Sequence, residues 1–201
     1  MVVKVHSLRE YFRDSLHSAL EHQQVSVGGE TEQYVVNLRT LFAHSDALFE
    51  QTADGARIRP LVVMLADALE AHSARERCAG LQRLGDVSLF VAGFFAQGFA
   101  RKLIDIDYPL AMGGRAYGTL SEAVRRSGRA ALGPVFGELA AKFQQMVDAL
   151  NEVSEAGYQY SDRDILRLYE VWLKTGSRRA ERLLSGLGVA PAAGAHSKFR
   201  H

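Results

Sequence analysis

Between residues 83 and 117 seven side chains have the types and spacing to act together: Arg83, Asp86, Arg101, Asp105, Asp107, Arg115 and Tyr117. Arg101 and Arg115 carry planar guanidinium forks that suit an anionic group. Tyr117 can stack on a ligand or hydrogen-bond to it, and Phe94, Phe95 and Phe99 would supply an apolar wall. Asp86 interrupts an otherwise apolar run, and a buried carboxylate needs a partner; Arg83, one turn earlier, is the nearest cation. Asp105 and Asp107 fall at the C-terminal end of a helix, where the dipole disfavours negative charge. Arg101 lies one turn before Asp105, and Arg115 can fold back across the turn. Two readings follow. One is a pocket for a small anionic ligand, and the other is a structural salt-bridge network that pins two helices without any ligand.

The element that must position this group is a long helix, expected from about Ala74 to Ile104. Ser73-Ala74-Arg75-Glu76 has the form of a capping box at its start. At 1.5 Å per residue it would run about 45 Å. From Val87 to Ala100 it is apolar on every side apart from Ser88 and Gln97, and such a helix belongs at the centre of a bundle. Ala92, Ala96 and Ala100 make a small-residue row with Gly93 beside it. Pro109 ends the helical path at Tyr108, and Asp107 caps the next helix. Gly113, Gly114 and Gly118 cost helix propensity, so a close neighbour is expected there, with the alanine row as its plainest identity.

Helical periodicity accounts for the rest of the chain. Phe12, Leu16 and Ala19 mark a first helix over Ser7–Gln24. Tyr34, Val35, Leu38, Leu41 and Phe42 mark a second over about Thr31–Phe49. Asp54-Gly55 is a turn signal with room for a very short hairpin. Pro60 opens a third helix with Leu61, Met64, Leu65, Ala68 and Leu69 as its stripe. Phe136, Leu139, Phe143, Met146, Leu150 and Val153 form a coiled-coil-like seam on a single helix from Pro134 to about Ala156. This seam can pack inside the bundle or against a second copy. Ser161 and Asp164 suit the cap of a helix with Ile165, Leu168, Tyr169 and Trp172, and a short last helix runs to about Gly186.

Composition narrows the function. The chain has 201 residues, 47% of them hydrophobic and 23% charged, with a net charge of +1. No global field draws it to nucleic acid or to an anionic membrane. The apolar run is shorter than the roughly 20 residues of a bilayer span. The single cysteine, Cys78, excludes an internal disulfide. No secretory leader pattern opens the chain, so a cytoplasmic protein is expected. Asp14 and His17, with Glu10 and Glu21, are the nearest approach to a metal-carboxylate pattern, but they fall on the polar face of the first helix. His72 reads as a packing or capping residue on the Leu61–Leu69 stripe. Arg125-Arg126 and Arg178-Arg179 read as solvated. Phosphate-loop and nucleophile-elbow patterns are missing.

These observations predict an all-α single domain, residues 1–188, with seven or eight helices around the 74–104 helix and a disordered tail at 189–201. The expected function is non-enzymatic: self-association as a homodimer, and binding of a protein partner or small anionic effector. An enzyme or sensor with a cofactor or substrate pocket near residues 101–117 is the alternative, and a metal-carboxylate oxidase ranks last. The residues name no cofactor.

Overall fold

The computed structural model describes residues 8–43, 50–52, 55–94, 107–126, 132–154 and 162–189. In chain order these form α1 (Leu8–His22), α2 (Gly29–Ala43), β1 (Glu50–Thr52), β2 (Gly55–Arg57), α3 (Leu61–Glu70), α4 (Ala74–Phe94), α5 (Asp107–Arg126), α6 (Gly133–Ala141), α7 (Phe143–Ser154), α8 (Asp162–Thr175) and α9 (Arg178–Gly186). The fold is all-α. The strands make one small antiparallel hairpin, with Glu50 opposite Arg57 and Thr52 opposite Gly55. No helix among the described residues is long and apolar enough to cross a membrane.

The core is built around α4, as its apolar circumference requires. Every residue from Leu84 to Gly93 is buried, and α4 packs on α2, α3, α5 and α7. Its start is held by the capping box: Ser73 Oγ accepts from Glu76 N at 3.1 Å, and Glu76 Oε2 accepts from Ser73 N at 3.1 Å. The predicted continuation to Ile104, including Ala96, Phe95 and Phe99, lies outside the described residues. So do Ser161 and, apart from Val189, the tail.

Helix α5 runs antiparallel to α4. Gly85 faces Tyr117, and Ser88 faces Gly113. Two of these glycines are spaces for aromatic rings. A Cβ at Gly85 would stand 2.7 Å from Tyr117 Cε1, and one at Gly113 would collide with the Phe143 ring. The neighbour of the Gly113 position is therefore the Phe143 ring of α7, together with Ser88, rather than the alanine row expected from sequence.

The helix expected from Pro134 to Ala156 is two helices. Lys142, at φ −116° and ψ 24°, separates α6 from α7. The i→i−4 hydrogen bonds persist across the joint, from Lys142 N to Glu138 O and from Met146 N to Lys142 O. Lys142 Nζ donates to Ser26 O and to Glu138 Oε1. This break takes the total to nine helices among the described residues. The seam itself is used inside the chain: Phe136, Leu139, Phe143, Met146 and Leu150 are all buried in the main core.

Two stripes also shift. Wedged among α1, α4 and α6, α2 buries Val36 and turns Leu41 outward, 53% exposed. Helix α3 buries Leu61, Met64 and Ala68 against α4 and leaves Leu69 57% exposed. His72 is exposed beyond it, so it does not extend a buried stripe. Helices α8 and α9 pair around a second small core of Leu168, Trp172, Ala180 and Leu184. Ser177 caps α9 by accepting from Ala180 N.

Candidate functional site: a basic groove above a buried carboxylate

Asp86 lies on the buried arc of α4 at 8% exposure. Its Oδ1 accepts from Tyr34 Oη of α2 and from Tyr117 Oη of α5, each at 2.7 Å. Gln82, one turn earlier on α4, donates from Nε2 to Tyr34 Oη at 3.0 Å. The aspartate is thus held chiefly by two neutral phenols. Desolvation pushes its carboxyl up to about 6, opposed by the Tyr117 and Tyr34 hydrogen bonds and least by the charge of Arg83. Burial, reinforced by the adjacent carboxylate, raises both phenols well above their ordinary value. Neither tyrosine is a nucleophile or base near neutral pH; both are donors.

Phe136 of α6 closes the cluster. It stacks on Tyr117 with ring centres 5.8 Å apart and meets Tyr34 edge-on at 5.6 Å. Phe136 and Gln82 also face a surface groove of about 1220 Å3 between the α3–α4 junction and the facing ends of α5 and α6. Leu120, Ala123, Val124 and Leu132 complete an apolar floor and wall, with Cys78 and Ala79 opposite. The rim is cationic. It carries Arg75, Arg77 and Arg126, with His72 beside them; no aspartate or glutamate lines it among the described residues, while Glu76 accepts from the backbone of the lining residue Ser73 and Glu122 pairs with Arg126. Two other cavities differ: the one at Arg59 also holds Asp67, and the cleft beside α9 mixes Lys142, Arg178 and Arg182 with Asp148 and Glu181.

The three arginines are not equivalent. Arg77 donates to Leu69 O at 3.0 Å and to Ala68 O, capping the C-terminus of α3. Arg126 pairs with Glu122 at 3.0 Å on an exposed face. Arg75 is exposed and has no acidic partner among the described residues. A cation in the first turn of a helix faces the positive end of the dipole. Arg75 and Arg77 sit in that position on the longest described helix; sequence reasoning did not single them out, although the misplaced charge could have pointed to them.

Of the seven residues singled out by sequence, the structure brings Asp86 and Tyr117 into direct contact. Arg83 is half-buried on α4, its guanidinium 5.6 Å from the Phe42 ring centre. Arg115 is exposed while Tyr117 is fully buried, so these two occupy different faces of α5. Arg101 and Asp105 lie outside the described residues, as does the side chain of Asp107. Phe94 belongs to the core edge, 4.9 Å from Phe90 and 5.7 Å from Phe12 between ring centres. Sequence reasoning missed Tyr34, which it placed in a core stripe, and Gln82. Neither carries a local signal, because Tyr34 reaches Asp86 from 52 positions away.

No group of His, Cys, Asp and Glu among the described residues is arranged to hold a metal ion. His17 instead contacts Glu32 and Glu21 at 3.3 and 3.4 Å, which raises its pKa, with the Glu32 hydrogen bond the largest cause. Comparison with known proteins yields no match: no family model, no characterised protein and no solved structure aligns with the chain.

Proposed function

We propose that this is a non-enzymatic, cytoplasmic helical protein that binds an anionic partner with an apolar face in the groove between the α3–α4 junction and the facing ends of α5 and α6. The carrying observation is the pairing of an apolar floor with a rim of three arginines, of which Arg75 is exposed and has no acidic partner among the described residues. Like-signed charge around a desolvated floor favours an anion and disfavours a cation. The floor joins the main core through Phe136, so the site is preorganised by packing rather than by a loop. Self-association through the 136–150 seam has lost its surface to the core, so the reading rests on the groove. A pocket near residues 101–117 is the weaker alternative, because Arg115 and Tyr117 do not share a face of α5.

The test uses 1-anilinonaphthalene-8-sulfonate, an anionic probe with an apolar body. Its fluorescence should rise saturably with the wild-type chain. The Arg75→Glu/Arg126→Glu variant should weaken that binding about tenfold, or about 1.4 kcal/mol. Both positions are exposed, so the thermal midpoint should stay within a few degrees of wild type. Equal binding by the folded variant would overturn the reading.

A further inference from the structure

Resting on that reading, we infer that the occupant of the groove is an α-helix of a protein partner, apolar along one face and acidic at one end. Gly85 faces Tyr117 and Ser88 faces Gly113, so positions on α4 and α5 that come level sum to about 201. Arg75 is therefore level with Arg126. Both stand at one end of the groove, while Gln82 and Leu120 stand together at the other.

The two walls have the same spacing. On α4 the lining residues Arg75, Cys78, Ala79 and Gln82 fall at i, i+3, i+4 and i+7; on α5 Leu120, Ala123 and Val124 fall at i, i+3 and i+4. These are the ridges a third helix packs against. Seven residues of α4 span about 10 Å, or two turns of a partner helix. Ala79 and Ala123 are small enough to let its backbone come near. The volume, about 1220 Å3, exceeds the roughly 300–1,000 Å3 of sites that enclose small molecules. The groove is a trough open to solvent, which suits an amphipathic helix laid into it. The charge sits at one end only, so acid is required at one end of the occupant. The chain's own tail, residues 190–201, carries His196, Lys198, Arg200 and His201 and no acid. Its charge is wrong for this rim, which points to a separate chain.

The experiment adds a labelled peptide of roughly 20 residues, long enough to be helical when Ala-rich. It carries Leu at i, i+3, i+4 and i+7 and glutamates in its last turn. A scrambled peptide of equal composition has no apolar face. The first should bind the full chain and displace the anilinonaphthalene dye, and the scrambled one should bind at least about tenfold more weakly. Arg75→Glu should weaken the first peptide and not a version with lysine in place of glutamate. Equal binding of both peptides, or dye binding that the first peptide never displaces, overturns the helix assignment and leaves the anion-binding groove standing. Dye and peptide both indifferent to Arg75→Glu/Arg126→Glu overturn the groove itself.

Discussion

Asp86 and Asp148 are buried carboxylates on two helices that pack together, α4 and α7, and the chain meets the same desolvation cost in two ways. Asp86 takes its donors from Tyr34 and Tyr117, on two other helices. Asp148 takes one donor from its own helix, Gln144 Nε2 at 2.9 Å, and one from Ser177 Oγ at 2.8 Å. Burial raises both carboxyls. At Asp148 it is opposed by the Ser177 and Gln144 hydrogen bonds and by the charges of Arg179 and Arg182. Arg179, expected from sequence to be solvated, is 8% exposed beside it. Asp86 is thus a joint for α2, α4 and α5 beneath the groove, whereas Asp148 is a staple that fixes the N-terminus of α9. Neutral phenols leave the first carboxyl easy to protonate, and nearby guanidinium groups resist this at the second.

Three measurements would break or sharpen this contrast. The largest effect is expected from Tyr117→Phe, which keeps the ring in the space left by Gly85 and removes one donor from a buried charge. It should cost about 2–3 kcal/mol of unfolding free energy at pH 7, read by urea denaturation. A loss below about 0.5 kcal/mol would mean that the phenol is not a supporting donor.

A second contrast is in pH dependence. The folded pKa of Asp86, about 6, lies above its ordinary value of 3.8. Between those values the folded chain binds more protons than the unfolded one, so this group's contribution falls as pH rises through the window. Relative to Asp86→Asn, the wild type should gain about 2 kcal/mol between pH 7 and pH 4. Asp148→Asn should show the same sign with a smaller slope, because cations face it. Parallel curves for wild type and Asp86→Asn would remove the aspartate from the account.

The smallest effect is expected from Ser177→Ala. It removes the α9 cap and one donor to Asp148, costing about 1–2 kcal/mol. Hydrogen exchange should quicken in α9 while α4 keeps its protection. A uniform loss of protection would make the α8–α9 pair part of the main cooperative unit.

The contrast also shows what could be read without coordinates. The capping box at Ser73, the break at Gly176-Ser177 and the burial of Leu84 to Gly93 in α4 rest on neighbours a few positions apart, which a sequence displays directly. The need of Asp86 for a partner was equally visible from its apolar surroundings. Its nearest cation in sequence, Arg83, proved the least of the influences on it: the Arg83 guanidinium lies over the Phe42 ring, and the phenols of Tyr34 and Tyr117 supply the hydrogen bonds. The Lys142 break also escaped periodicity, since the apolar spacing continues unbroken across it.

By itself, then, the chain determined that it would be helical, where most helices begin, and that a carboxylate would be enclosed in the middle of the longest one. Only the tertiary structure decided that phenols 52 and 31 positions away would enclose it, that Phe143 would fill the space at Gly113, and that arginines from two helix ends would rim one trough. Periodic apolar residues report which face of a helix is turned inward. Which distant helix meets that face depends on how all the helices pack at once, and no local spacing encodes it.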